Sequence, residues 1–158
     1  MMEKDNKYML EAIRLARQNA SSCTGGPFGA VIVKGSEVIG SAVNTVTPDK
    51  DPTAHAEVNA IRAACKKLDT FDLSGCILYT SCEPCPMCLS AAYWAHIDKI
   101  FFAADRKEAE RAGFSDAFIY DQLVVPPNER SIPSEQILVE EGVEPFTLWL
   151  GNESKIPY

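Results

Sequence analysis

Asp51-Pro52-Thr53-Ala54-His55-Ala56-Glu57 and, thirty residues on from the histidine, Pro84-Cys85-Pro86-Met87-Cys88 are the stretches on which the reading of this chain turns. Both read as helix entrances. Pro84 and Pro86 suit a helix start, where a missing N–H leaves no bond unmade. Cys85 and Cys88 stand three apart, so a first helical turn puts both sulfurs on one face. His55 and Glu57 stand two apart and would point to nearly opposite sides of a regular helix. They converge only where the backbone is still turning, and Asp51-Pro52-Thr53 supplies such an entrance, with Thr53 or Asp51 placed to cap it. One imidazole and two thiolates make three protein ligands and leave the fourth tetrahedral position of Zn²⁺ to water. Glu57 can take a proton from that water and return it to a leaving group. Two helix N-termini would face the metal, where their dipoles favour thiolate and hydroxide.

Cys82 lies three residues before Cys85, so a closed structural site of Cys82, Cys85, Cys88 and His55 is the competing arrangement. It leaves Glu57 without a role and puts Cys82 on the far side of Pro84, outside the helix. A disulfide fits less well, because nothing marks the chain as secreted and close CxxC pairs in cytosolic proteins bind metal or do redox work. Cys23, Cys65 and Cys76 read as packing residues, since free cysteine is mostly buried.

Upstream, Met9, Ile13, Ala16 and Ala20 form a helical stripe over about Lys7–Ala20, predicting a core-facing amphipathic helix. Gly25-Gly26-Pro27 breaks the chain; no Lys-Ser/Thr or GxGxxG pattern follows, which excludes a phosphate loop. Phe28–Val33 and Val38–Val43 flank Lys34-Gly35-Ser36 and predict an antiparallel hairpin. A loop over Asn44–Thr53 leads to the His55 helix, with Val58, Ile61, Ala64, Cys65 and Leu68 along one side. Cys76–Thr80 reads as a strand, Cys85–Trp94 as the second helix and Lys99–Ala103 as a strand. This alternation predicts parallel strands with helices packed on the faces. Beyond Asp116, Pro126-Pro127 and Pro133 mark a loop, Gln136–Glu140 a last strand and Pro145–Leu150 a short helix.

The 158 residues make one domain, 1–158, with room for a sizeable core. A hydrophobic share of 46 % is that of a globular protein, so disorder is excluded. Met1–Asp5 is polar and no apolar run nears the ~20 residues of a membrane span, so no membrane partner and a cytoplasmic location are expected. The net charge of −7, from 22 acidic and 15 basic residues, argues against a nucleic-acid partner. Lys66-Lys67 and Arg106-Lys107 are the nearest approach to a basic patch, and a solvated helix face explains each.

The H-x-E and P-C-x-x-C arrangement resembles the signature of the cytidine and deoxycytidylate deaminase superfamily. Four further stretches resemble its bacterial guanine deaminase branch: Gly25-Gly26-Pro27-Phe28-Gly29-Ala30-Val31-Ile32-Val33, Asp51–Glu57, Tyr79-Thr80-Ser81-Cys82-Glu83-Pro84-Cys85-Pro86-Met87-Cys88, and Ala112-Gly113-Phe114-Ser115-Asp116-Ala117-Phe118-Ile119-Tyr120. The first two are shared in part with tRNA adenosine deaminases and fungal-type cytosine deaminases. The segment around Asp116 and the terminal tyrosine favour guanine. Where the family segment often reads Phe-Asp-Asp, this chain has Phe114-Ser115-Asp116, which keeps the second acid.

The resemblance implies an α/β fold, a three-layer α/β/α sandwich with a five-stranded mixed sheet, one Zn²⁺ per chain on His55, Cys85 and Cys88, and a homodimer. It implies hydrolytic deamination of guanine, a small-molecule purine, to xanthine and ammonia. Glu57 would carry the water proton to the ring nitrogen next to the attacked carbon, and Asp116 would help protonate the departing amine. Asn44 offers an amide donor and acceptor to a purine edge; Phe28 and Trp94 would stack on the ring, and Ala56 joins the substrate-binding positions. A C-terminal segment, about 127–158, would cross to the partner subunit and let Tyr158 close the site there. Guanosine, ammeline, cytosine or tRNA adenosine are alternative substrates. A non-catalytic zinc module is the reading from another class, and Glu57→Ala with zinc retained separates it from an enzyme.

Overall fold

Ala30-Val31-Ile32-Val33 is apolar on both faces, and a strand of that kind belongs in mid-sheet with both faces covered. In the computed structural model, which describes residues 3–158, it forms β1 (Gly29–Lys34), buried except at its last residue. β2 (Glu37–Val43) returns beside it antiparallel, from Lys34 opposite Glu37 to Gly29 opposite Val43, with a register shift between Ile32 and Val33. β3 (Cys76–Cys82) flanks β1 on its other side, also antiparallel, and β4 (Lys99–Ala104) pairs with β3 in parallel. The order is β2-β1-β3-β4, so the fold is α/β with a mixed sheet. β1 alone runs against the others, which makes the links from β2 to β3 and from β3 to β4 crossovers, each needing a helix.

The helices in chain order are α1 (Glu3–Ser22), the single turn α2 (Val46–Asp49), α3 (Ala56–Leu68), α4 (Pro86–Trp94), α5 (Arg106–Arg111), α6 (Ala117–Leu123) and α7 (Val139–Gly151). The crossover helices are α3 and α4. Alternation along β1 sends Ala30 and Ile32 to one face, where Leu78, Ile39, Ala60 and Ala64 complete a cluster. It sends Val31 and Val33 to the other, against Tyr79 and against Tyr8 and Ala12 of α1. Gly40 of β2 brings α3 close: a Cβ there would lie 2.5 Å from the carbonyl oxygen of Ala60. That close seat fixes α3 against the sheet, and with it the entrance that carries His55 and Glu57.

Contacts divide the chain into two compact units, one ending at Asp116 and the other Ala117–Tyr158. The second unit has α6, a 3₁₀ turn at Pro127–Glu129 and α7. Ser131 N donates to Gln122 Oε1 (2.7 Å), which ties the loop to α6, and Arg130 Nε donates to the Val125 carbonyl (3.0 Å) within the loop. Every residue of α7 is exposed in the single chain, including Phe146, Leu148, Trp149 and Leu150. Among the described residues no helix is long and apolar enough to cross a membrane.

Four expectations are corrected. The sheet has four strands among the described residues, not five: Gln136–Glu140 makes no strand, because Val139 and Glu140 open α7, with Glu140 and Glu141 favourably placed in its first turn. The short helix expected over Pro145–Leu150 is the latter half of α7, which carries Pro145 inside it. The buried stripe of α1 is Tyr8, Ala12, Ala16 and Asn19, turned by a residue from the expected Met9, Ile13, Ala16 and Ala20. Its alanines let the helix lie close to the sheet, whereas Ala20 is exposed. Cys23 is exposed too, whereas Cys65 is half-buried and Cys76 buried.

Candidate active site

The site grows from the turns that follow the parallel strands. β2 ends at Val43, and the chain then runs through Asn44 and α2 to His55, which takes the N-cap position of α3 in extended backbone (φ −71°, ψ 155°). Neither Asp51 nor Thr53 caps α3 as expected; Asp51 Oδ1 instead accepts from Thr53 N (2.8 Å) and Thr53 Oγ1 (2.7 Å), closing its own turn. With His55 extended and Glu57 inside the first helical turn, the two side chains escape the opposition a regular helix would impose. β3 leads to Cys85, the N-cap of α4 (φ −67°, ψ 169°), with Pro86 following as the first helical residue and Cys88 two further on. Two helix N-termini therefore meet at one point.

His55 Nδ1 lies 3.6 Å from Cys85 Sγ and 3.5 Å from Cys88 Sγ, and the three donor atoms fall within 4.8 Å of one another. Tetrahedral zinc with Zn–N and Zn–S bonds of about 2.0 and 2.3 Å sets its nitrogen and sulfur ligands about 3.5 Å apart. The donor set and its spacing both fit Zn²⁺. Cys85 is held as thiolate, its pKa drawn down to about 4 by the hydrogen bond from the Cys88 thiol and by His55. The same contact with Cys85 raises the His55 pKa and pushes the Cys88 thiol up. Cys82 stands outside this cluster, its thiol 3.6 Å from the Asp105 carbonyl and raised to about 11 by burial and by Glu57.

Glu57 is buried, 5 % exposed, and burial raises its carboxyl pKa. Thr80 Oγ1 donates to Glu57 Oε1 (2.9 Å), while Oε2 lies 3.4 Å from Cys88 Sγ. Sequence reasoning missed Thr80, one of three successive hydroxyl residues, Tyr79-Thr80-Ser81, in β3; a buried O–H needs a partner, but the sequence does not show which of the three faces the site.

An inner pocket of about 60 Å³ is lined by His55, Glu57, Cys85 and Asp116, with Phe28, Arg106 and Phe114 at its walls. Asp116 is half-buried, its carboxyl raised by burial and by the Cys85 thiolate. Phe28 meets Phe114 edge to face, centroids 5.0 Å apart. Beside the pocket is a cleft of about 560 Å³, lined by Asn44, Gly25, Gly26, Cys23, His55 and Phe114 among others. Asn44 Oδ1 accepts from Gly26 N (3.2 Å) and Val46 N (3.3 Å), which leaves Nδ2, the donor, with no hydrogen bond among the described residues. Ala56 is buried in the cluster under α3. Trp94, 67 % exposed at the end of α4, lines neither cavity, and Tyr158 is exposed in the second unit.

Comparison with known proteins agrees with this geometry. Guanine deaminase of Bacillus subtilis is 49 % identical over 151 residues, 96 % of this chain and 97 % of that protein. The X-ray structure of guanine deaminase from that organism superposes with a TM-score of 0.95 at 47 % identity, covering 100 % of this chain and 99 % of the other. The tRNA-specific adenosine deaminase of Aquifex aeolicus is 51 % identical over 82 residues, only 51 % of this chain and 54 % of that enzyme. The family pattern "Cytidine and deoxycytidylate deaminase zinc-binding region" matches residues 2–104, a span that holds His55, Glu57, Cys85 and Cys88. With its two helix entrances gathered around one set of zinc donors, the chain belongs to the cytidine and deoxycytidylate deaminase zinc-binding family.

Proposed function

We propose that this protein is a zinc-dependent aminohydrolase that converts guanine and water to xanthine and ammonia. The observation that carries the reading is its reach: likeness to guanine deaminase runs the whole chain, through Asp116 and the tail, where likeness to tRNA-specific adenosine deaminases covers between 51 % and 70 % of it. His55, Cys85 and Cys88 hold the ion, one per chain. When bound, zinc serves as a Lewis acid that makes water nucleophilic near neutral pH. Glu57 takes the proton of the attacking water and delivers it to the ring nitrogen next to C2. Its buried setting and raised pKa suit a group that must both accept and return a proton. Asp116, in the same pocket and in a less enclosed setting, helps protonate the amine, which departs as ammonia.

The inner pocket receives the reacting edge of the purine and the wider cleft the rest. Asn44 Nδ2 donates to an acceptor on the ring, and Phe28 gives it an apolar wall. Trp94 and Tyr158 are read as a stacking face and a lid. The exposed apolar surface of α7 and the Pro126-Pro127 hinge support a homodimer in which about 127–158 is exchanged and Tyr158 closes the site of the neighbouring subunit, each chain otherwise one domain, 1–158. Helices against both faces of the sheet support a three-layer α/β/α arrangement, the acidic composition argues against a nucleic-acid partner, and the enzyme is read as cytoplasmic.

The test is ammonia release by the zinc-loaded protein from guanine, guanosine, ammeline, cytosine and a tRNA anticodon stem carrying adenosine. Release from guanine far above the others is the expected result. Preference for another substrate moves the assignment to that one, and no release from any favours the non-catalytic zinc module.

A further inference from the structure

α1 ends its buried stripe of Tyr8, Ala12 and Ala16 on an amide, Asn19, only 5 % exposed. Burying an amide is unfavourable unless its hydrogen-bonding groups are met, and here the N–H groups are met by two carbonyls of the cleft wall and the oxygen by Thr24. Asn19 Nδ2 donates to the carbonyls of Gly26 (2.7 Å) and Asn44 (2.8 Å), and Oδ1 accepts from Thr24 Oγ1 (3.1 Å). Gly25 threads between the two asparagines so tightly that a Cβ there would lie 2.1 Å from the Asn44 carbonyl oxygen and 2.8 Å from Asn19 Nδ2. Gly26 is thus gripped twice, its carbonyl by Asn19 and its N–H by Asn44 Oδ1 (3.2 Å).

We infer that Asn19, which lines neither the cleft nor the inner pocket, is a positioning residue that aims the Asn44 amide at the substrate. The inference rests on the guanine reading above, in which Asn44 Nδ2 meets an acceptor on the purine. Asn44 has its Oδ1 committed to the Gly26 and Val46 N–H groups, so the position of the Gly26 backbone sets where Nδ2 points. Asn19 holds both the Gly26 carbonyl and the Asn44 carbonyl, so it fixes the two ends of that linkage. Zinc donors, Glu57 and Asp116 are untouched by this network. Asn19 therefore acts on purine binding and leaves proton transfer alone.

The experiment is a double-mutant cycle on the zinc-loaded enzyme, with KM and kcat for guanine read separately. Melting temperature and zinc content are followed as controls. Asn19→Ala should raise KM about tenfold and hold kcat within about twofold, the signature of a lost binding interaction. Asn19→Ala combined with Asn44→Ala should raise KM no further than Asn44→Ala alone, because the two act as one unit. Additive KM effects, or a fall in kcat with KM unmoved, overturn the inference and return Asn19 to a merely structural role. If Asn19→Ala does not fold, Thr24→Val, at an exposed position, loosens the same amide and should raise KM about two- to threefold at steady kcat; an unchanged KM in that variant overturns it equally. A wild-type enzyme inert toward guanine overturns the functional reading and this inference together. An active wild type with unmoved variants overturns this inference alone.

Discussion

Thr80→Val removes one hydroxyl and nothing else of comparable size. Thr80 is wholly buried in β3, and its O–H donates to Glu57 Oε1 at 2.9 Å. Valine keeps the branched shape but puts a methyl group against a carboxylate. A hydrogen bond to a charged group contributes about 1.5–3 kcal/mol net, and here it also fixes which way the carboxylate faces. If that stabilisation is fully present when Glu57 shuttles its proton, a factor of ten per about 1.36 kcal/mol turns it into a kcat lower by about 10- to 150-fold. KM should hardly move, because Thr80 lines neither the inner pocket nor the cleft. The assay is steady-state ammonia release from guanine, with zinc content measured on the same sample. A kcat within twofold of wild type, at full zinc, would show that Glu57 needs no help from β3 and refute the reasoning.

Four further outcomes are expected. Elemental analysis should find Cys85→Ser depleted of zinc and Cys82→Ser fully loaded; depletion of both would return the site to a closed structural set, and the reverse would overturn the ligand assignment. Glu57→Gln should keep zinc and bind guanine by calorimetry yet lose nearly all turnover, and Asp116→Asn should fall steeply in kcat at unchanged melting temperature. A normal rate in Asp116→Asn would leave that residue a surface acid. Gly40→Ala drives a methyl group onto the Ala60 carbonyl; overpacking of about 1–3 kcal/mol, less the gain from replacing a strand glycine, leaves a net loss of about 1–2 kcal/mol. Calorimetry should then show melting about 2–8 °C lower, and an unchanged transition would mean that α3 gives way freely. A chain ending at Glu153 should lose activity on guanine while its melting and zinc content hold; full activity in that truncation would remove the lid.

The zinc donors were legible because metal chemistry restricts both residue type and spacing, so His55, Cys85 and Cys88 stand out without any knowledge of the fold. The hairpin and the parallel crossovers were legible for a similar reason: apolar runs and glycine turns carry local rules. The last strand was not. Gln136-Ile137-Leu138-Val139-Glu140 has the short apolar run of a strand, yet the acids at 140 and 141 serve equally well as a helix start, and α7 forms. The buried face of α1 is turned by a residue from the apolar stripe because it takes in Tyr8 and Asn19, which a search for apolar periodicity passes over; each is buried here with its polar atoms engaged, Tyr8 by the Ser36 carbonyl and Asn19 by the carbonyls of Gly26 and Asn44. Thr80 escaped for the same reason. Polar residues whose partners lie far along the chain give no local sign of their place, and Glu57 finds Thr80 only once β3 has crossed the sheet.

The meeting of two helix entrances has a consequence for endurance as well as reactivity. His55 and Cys85 bound to one ion close a loop of thirty residues that includes α3 and β3. Restricting a loop of that length lowers the entropy of the unfolded chain by about 3 kcal/mol in free-energy terms, from (3/2)RT ln n. Zinc is therefore a mechanical staple between two successive crossovers. Because the ion binds the folded chain in preference to the unfolded one, melting temperature should climb with free zinc concentration. Without zinc the folded chain would be less stable by about that amount and correspondingly more open to proteolysis.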